Sequence, residues 1–340
     1  MRLDEKKIMA LRTNLTFGLV VVLSLSVGCR TVGVRDDGAG VRRGDERVLL
    51  TVDFEPGRTL RYKFVSNRDI LLDWDPNAAA DEQIERRFER LEMVTTYTPV
   101  SVDPYGISTI RAVCESVRVE RSGRHSGTDA AEAASGRAFS FTVDSRGKIV
   151  DRSELDALVK EIGERAFRSG PSGGRIKNPD MVGDFVAGQY FLWDAVASIE
   201  RPADGVVVGQ SWTSKLPVPL PMVLRKARDV IYRLSEIRHD DERLVIVEST
   251  YAPAEAAPSE WPIPYAGRFQ VSGTFGFLGG YQVLALEGAG RESFDLDAGR
   301  LLASDQKYTI RMRASLPPMG IRADPHVTIE QTLTTESLAP

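Results

Sequence analysis

Thr59-Leu60-Arg61-Tyr62-Lys63-Phe64-Val65 alternates apolar and polar side chains almost residue by residue. A period of two sets Leu60, Tyr62 and Phe64 on one face and Arg61 and Lys63 on the other, the pattern of a half-buried β-strand. The turn residues Pro56-Gly57 precede it, and Asp73-Trp74-Asp75-Pro76-Asn77 reads as a loop beyond it. The same pattern recurs on both sides. Arg47–Val52 reads as a first strand. Residues 82–100 are ambiguous, since Ile84, Phe88 and Leu91 fit a helix face. Met93-Val94-Thr95-Thr96-Tyr97-Thr98 is rich in β-formers and decides for one long strand. Residues 107–120 form the next strand, after the turn Asp103-Pro104-Tyr105-Gly106.

Residues 121–137 are rich in Gly, Ser and Ala and are expected to be a mobile loop. Phe139–Val143, the turn Asp144-Ser145-Arg146-Gly147 and Lys148–Val150 then form a hairpin. A helix should follow, with Ser153 as its cap and Leu155, Leu158, Val159 and Ile162 on one face. After the break at Pro171-Ser172-Gly173-Gly174, residues 181–199 carry a second apolar helical segment. From Pro202 the chain is β again, with strands expected at 205–213, 229–234, 244–250, 268–277, 280–287, 290–295, 301–313 and 326–333. Short connections make most of these antiparallel neighbours. The expected fold class is α+β and β-rich: a large antiparallel sheet, curved as a half-barrel or stacked as a sandwich, with two central helices. Ser140-Phe141…Gly147-Lys148-Ile149 is faintly echoed by Ser293-Phe294…Gly299-Arg300-Leu301. The echo leaves open a division of 47–335 into two similar lobes, 47–200 and 201–335.

The N-terminus is a different kind of sequence. Residues 1–12 hold four basic and two acidic side chains, and Leu15–Gly28 contains no charge. A positive start and a short apolar run make a signal peptide, too short for a comfortable membrane span. The run ends Leu25-Ser26-Val27-Gly28-Cys29. This stretch resembles the lipobox of bacterial lipoproteins, apart from Ser26 where Leu is commonest. The resemblance implies removal of residues 1–28, cleavage after Gly28, and acylation of Cys29. An ordinary secretory signal and an uncleaved anchor are the other two readings. Arg30 rather than Asp follows the cysteine, which under the sorting rule of enteric-type bacteria implies the outer membrane, on its periplasmic face. Residues 29–46 are polar and Gly-rich and read as a flexible tether.

Loss of residues 1–28 would leave 40 basic and 46 acidic residues, so no basic excess invites nucleic acid. Only Cys114 would remain beside the acylated Cys29, in a strand-like run where a small buried hydrophobe is the plain reading. His125, His239 and His326 each stand alone, without a second ligand at zinc spacing. No nucleophile elbow, Walker loop or dinucleotide fingerprint occurs. No catalytic residue, metal or cofactor is therefore assigned. Two rigid apolar stretches stand out: Leu216-Pro217-Val218-Pro219-Leu220-Pro221-Met222 and Trp261-Pro262-Ile263-Pro264-Tyr265. Proline cannot donate to a β-ladder, so neither should lie inside a sheet. They are either edge cover or the rim of an apolar cavity, with Pro219, Leu220, Trp261, Pro262 and Tyr265 as rim residues.

The order of elements, with the Gly57–Phe64 strand, the Phe141–Ile149 hairpin and its helix, Gly209-Gln210-Ser211-Trp212 and the Phe294–Arg300 hairpin, resembles a family of uncharacterised bacterial exported proteins and lipoproteins, a domain of unknown function. That resemblance implies no activity. At the level of fold alone the elements are also similar to the open half-barrel of periplasmic lipoprotein carriers. The expectation is a membrane-anchored envelope lipoprotein that binds an apolar ligand, a lipid or an envelope protein. A scaffold without a pocket is the alternative, and an enzyme the remaining one.

Overall fold

The computed structural model describes residues 46–76, 84–122, 127–222, 224–239, 242–256, 261–262, 264–316 and 324–339. Gly28 and Cys29, with most of the tether, lie outside the described residues. In chain order the strands of the first half are β1 (Arg47–Val48), β2 (Leu60–Asp73), β3 (Ile84–Val102), β4 (Ser108–Arg121), β5 (Ala138–Val143) and β6 (Ile149–Asp151). Helix α1 (Ser153–Glu164), β7 (Phe167–Ser169), β8 (Arg175–Lys177), α2 (Val182–Tyr190) and α3 (Asp194–Ala197) occupy the middle. Then come β9 (Val206–Val207), β10 (Ser211–Val218), β11 (Lys226–His239), β12 (Arg243–Ala254), β13 (Gln270–Val271), α4 (Thr274–Phe277), β14 (Gly279–Asp295), β15 (Arg300–Ser315) and β16 (His326–Leu338). Eleven strands form one antiparallel sheet in the order β10-β11-β12-β14-β15-β16-β2-β3-β4-β5-β6. Near its middle β16 pairs with β2, joining the chain's late residues to its early ones from His326↔Asp73 to Leu338↔Arg61. Spans 47–200 and 201–335 thus contribute neighbouring strands to the same sheet.

The period-two reading holds best where a strand has two partners. Leu60, Tyr62, Phe64, Ile70 and Leu72 are all buried on one face of β2. The ambiguous 82–100 region is a 19-residue strand, because Leu91, Met93, Thr95 and Tyr97 bury one alternating face. Departures have local causes. Residues 49–54 alternate in burial, with Leu50, Val52 and Phe54 inside, yet only Arg47–Val48 is paired. The segment packs on the core without an edge to join. Where a mobile loop was expected, Ala130–Ala134 forms a one-turn 3-10 helix. Asp129 and Glu132 make a capping box, and Ala130, Ala131 and Ala134 are buried. Ser153 is not the cap of α1. It begins the helix, and its N–H donates to Asp151 Oδ1 (3.1 Å). Residues 268–277 hold only the two-residue β13 and the short α4. Residues 280–295 form one strand instead of two. Leu216, Pro217 and Val218 do lie in a strand, but β10 is the first of the sheet, where a missing donor costs nothing.

The sheet packs around the helical middle of the chain. Phe141 on β5 contacts the Trp193 ring (6.4 Å between centroids), and Trp212 on β10 donates through Nε1 to Ala195 O (2.8 Å). Those two strands are nine steps apart in the sheet, about 43 Å if it were flat at ~4.8 Å per step. Trp193 and Ala195 lie within about 8 Å of each other along the backbone. The sheet therefore bends until both ends reach the same short segment.

A row of polar side chains on the inner face fastens α2 to the sheet. Direct cross-strand pairing runs Tyr308↔Gln331↔Arg68↔Glu89↔Arg121 across β15, β16, β2, β3 and β4. Partners directly opposite share a face. Asp184 on α2 accepts from Arg68 Nη2 (2.8 Å), Ser66 Oγ (2.6 Å) and Gln331 Nε2 (2.8 Å). Glu89 bridges Arg68 (2.8 Å) and Arg121 (3.0 Å), and Arg121 reaches Asp129 (2.7 Å). Tyr308 OH donates to Gln331 (2.8 Å). Burial raises the Asp184 carboxyl against the pull of Arg68, and pushes Asp129 up to about 6. Removing Asp184 would leave the buried Arg68 with Glu89 alone and take a shared acceptor from Ser66 and Gln331, so D184A should lower unfolding stability by about 3 kcal/mol. The isosteric D184N should lose less, and urea denaturation of both variants at neutral pH checks the ordering.

Candidate functional site

Helix α2 is apolar on almost every side. Val182, Phe185, Val186 and Ala187 are buried, so it needs cover on the side facing away from the sheet. The proline-rich segment that starts at Trp261 supplies it. At the C-terminal end of α2 the Trp261 ring lies 5.0 Å from Tyr190 and 5.9 Å from Phe191. At the other end Tyr265 OH donates to Asp180 Oδ1, and the Lys177 ammonium sits 4.3 Å above the Tyr265 ring. Lys177 and Asp180 are themselves paired at 3.0 Å and almost wholly buried. Gly163 of α1 leaves room for Pro264: a Cβ there would stand 2.4 Å from the Pro264 carbonyl oxygen. Trp261, Pro262, Pro264 and Tyr265 thus form a strap over the helical layer.

The second proline-rich stretch leaves the end of β10 and runs beside that strap. Between the two lies a cleft of about 280 Å³, just below the roughly 300 Å³ at which ligand pockets usually begin. Pro219, Leu220, Trp261, Pro262 and Tyr265 all line it. Five rim residues read from two segments some forty positions apart therefore meet at one cavity. Val218, Met222, Leu224 and Gly183 add to its apolar part, and the Cβ position of Gly183 faces Pro219 at 3.8 Å. Beyond Trp261 and Pro217 a smaller cavity of about 190 Å³ reaches Tyr190, Arg152 and Asp194. The two Pro segments act both as cover and as lining, so the alternatives left open by the sequence are not exclusive.

Sequence reasoning missed the polar members. Lys177, Asp180, Arg225 and Lys226 line the same cleft. Lys177-x-x-Asp180 carries no recognisable motif, and its partner Tyr265 lies far along the chain. Arg225-Lys226 follows the second Pro stretch closely enough to have been noticed as a charged flank. Cys114 is fully buried and its thiol is pushed up to about 12 by burial, which fits a small core side chain. Among the described residues, no group of three or more His, Cys, Asp and Glu could hold a metal ion. His239 is paired with Glu46 (2.8 Å) at the start of the described chain.

No protein-family model matches the chain, and no curated protein matches it. Among solved structures, it is similar to Pseudomonas aeruginosa OpdQ at 8% identity, over 83% of this chain and 99% of that one, with a TM-score of 0.23. A mutant of the Rh. blastica porin follows at 8% identity, 83% and 100% coverage, and a TM-score of 0.19. Pseudomonas aeruginosa OpdL has 11% identity, 83% and 99% coverage, and a TM-score of 0.19. Scores this low carry no argument about fold or function.

The interior next to the site holds a second set of buried polar groups. The Arg228 guanidinium lies between the rings of Tyr251 (4.3 Å) and Tyr308 (4.5 Å) and donates to Gln306 Oε1 (2.6 Å). No described carboxylate forms an ion pair with it. Asp194 accepts from Tyr232 OH (2.8 Å) and Ser214 Oγ (3.1 Å), and burial raises its carboxyl. Glu292 is wholly enclosed on β14; burial, with the Asp194 charge adding to it, pushes its carboxyl up to about 8. In the unfolded chain this acid ionises near its ordinary value of about 4.3. Between those limits the folded state binds the extra proton, so Glu292 contributes a fall in stability as pH rises from about 5 to 8. E292Q should make that decline shallower, leaving the part contributed by the raised carboxyls of Asp129, Asp184 and Asp194. Urea denaturation of wild type and variant at several pH values checks it.

Proposed function

We propose that the protein is a bacterial lipoprotein of the cell envelope, held by acyl chains on Cys29, whose folded body binds an apolar ligand in the cleft between its two proline-rich segments. One observation carries the ligand reading: Pro219 and Leu220 from one segment and Trp261, Pro262 and Tyr265 from the other converge on a single cavity. Prolines fix the backbone, so the lining is rigid before a ligand arrives, and little entropy is lost on binding. The bent sheet holding helices against its inner face supports the comparison with the open half-barrel of lipoprotein carriers, at the level of architecture alone. The charge-free run Leu15–Gly28 ending at Cys29 supports export and anchoring. Two or more acyl chains, at about 0.8 kcal/mol per buried methylene, suffice for durable attachment. Arg30 after the cysteine favours the periplasmic face of the outer membrane.

Native mass spectrometry of protein extracted from its own membrane tests both parts. The expected species begins at Cys29, carries fatty-acid mass, and holds a co-purified apolar molecule. A bare polypeptide would overturn both readings. C29S should shift the protein from the membrane to the soluble fraction without changing its unfolding midpoint. G183V adds a branched side chain to the cleft floor and exchanges a poor helix former for a better one. It should weaken uptake of an apolar probe at least tenfold, about 1.4 kcal/mol, while the unfolding midpoint holds. Titration of the purified variant with a fluorescent probe gives the comparison.

A further inference from the structure

We propose that the cleft selects an anionic amphiphile, a single acyl chain ending in a carboxylate or phosphate, with the chain between Trp261 and Leu220 and the head against Arg225 and Lys226. This inference rests on the apolar-ligand reading and adds to it the chemistry of the head group.

The charges around the cleft divide into two kinds. Lys177 is spent internally: it is 2% exposed, paired with Asp180 at 3.0 Å and capped by the Tyr265 ring. Arg225 and Lys226 are different. Arg225 is exposed and Lys226 partly so, and neither forms an ion pair with any described carboxylate. Lys215, on the neighbouring cavity, already has Asp229 (3.7 Å). Lys226 opposes Val218 across the β10–β11 ladder and shares its face with the buried Val230 and Tyr232. Its stem therefore runs along the cleft wall, as long cationic side chains do when the head seeks a polar exit. The molecule as a whole is net negative, at −4, so two cations at one mouth with no ion pair among the described residues are a local reversal of sign.

The layout is amphipathic in one direction. The apolar floor is formed by Pro219, Leu220, Met222 and Trp261, and Arg225 and Lys226 lie where the chain leaves that floor for β11. A carboxylate or phosphate there gains charge-assisted hydrogen bonds from a guanidinium and an ammonium. A neutral head forces the same two cations to lose water without return, and a cationic head is repelled. Head-group selection and chain binding thus come from different residues and are separable by mutation.

The full-length protein, delipidated, would be titrated with dodecanoate, dodecyl phosphate, dodecanol and dodecyltrimethylammonium below their micelle concentrations, and with inorganic phosphate alone. The two anionic amphiphiles should bind at least tenfold tighter than dodecanol, and inorganic phosphate should not bind measurably. The R225Q/K226Q double variant should bring dodecanoate to within about twofold of dodecanol, and about 0.5 M salt should do the same in wild type. G183V should weaken all the chains together. If dodecanol matches dodecanoate in wild type, the head-group inference falls while the apolar cleft stands. If no twelve-carbon ligand binds, both fall. If inorganic phosphate binds as tightly as dodecyl phosphate, the cations form a simple anion site and the amphiphile inference is overturned. The salt series decides the matter even where the double variant fails to fold.

Discussion

A carboxylate on a nine-residue helix holds the two layers of this protein in register. Asp184 takes three hydrogen bonds from strands β2 and β16, which are neighbours in the sheet although they come from opposite ends of the chain. Each donor is itself held by the polar row that crosses five strands. Such a row costs more to assemble than an apolar one of the same shape, because every charge must leave water. What it supplies is position. An apolar stripe tolerates sliding and rotation, whereas a guanidinium bound to two carboxylates does not. The strap, the cleft and the packing of Trp193 and Trp212 all depend on where α2 sits.

The cleft is in this sense a consequence of covering a helix that is buried almost all round. The sheet takes one side of α2, and proline-rich segments take the other. Proline segments cannot knit to each other by backbone hydrogen bonds, so two of them laid side by side leave a seam. The same chemistry that makes them suitable cover makes a gap between them whose floor is lined by apolar side chains and whose mouth is open.

Much of the architecture was legible from period-two burial, since alternation is forced wherever a strand has one wet face. Strands with two neighbours, such as β3, β4 and β15, were read almost at their true extent, whereas β2 was read at 59–65 and continues to Asp73. Residues 49–52 misled because alternating burial requires only an extended chain on a core; pairing requires a free edge, and sequence does not show where edges are. Residues 268–277 misled differently: the segment is exposed or half-buried, with Phe275 its one buried side chain, and its β-formers end in the short α4. The 3-10 turn at Ala130–Ala134 was hidden by small residues that also suit loops; the Asp129…Glu132 spacing was its one signal. Of the site, the apolar rim was readable because proline and tryptophan are conspicuous. The Lys177–Asp180–Tyr265 cluster was not, for its members meet only through tertiary folding. Arg68 and Asp184, 116 positions apart, were illegible for the same reason.

The seam where β16 lies against β2 has a consequence for how the molecule comes into being. A chain delivered from its N-terminus exposes β2 long before the strand that will complete its ladder arrives. Until then the centre of the sheet is an open edge, ready to stick to any other extended backbone. Closing a loop of that length is slow, and topologies dominated by distant pairings fold late. Assembly is thus withheld until β16 has been delivered, so loss of that strand would remove the keystone of the arch and not merely its outermost stone.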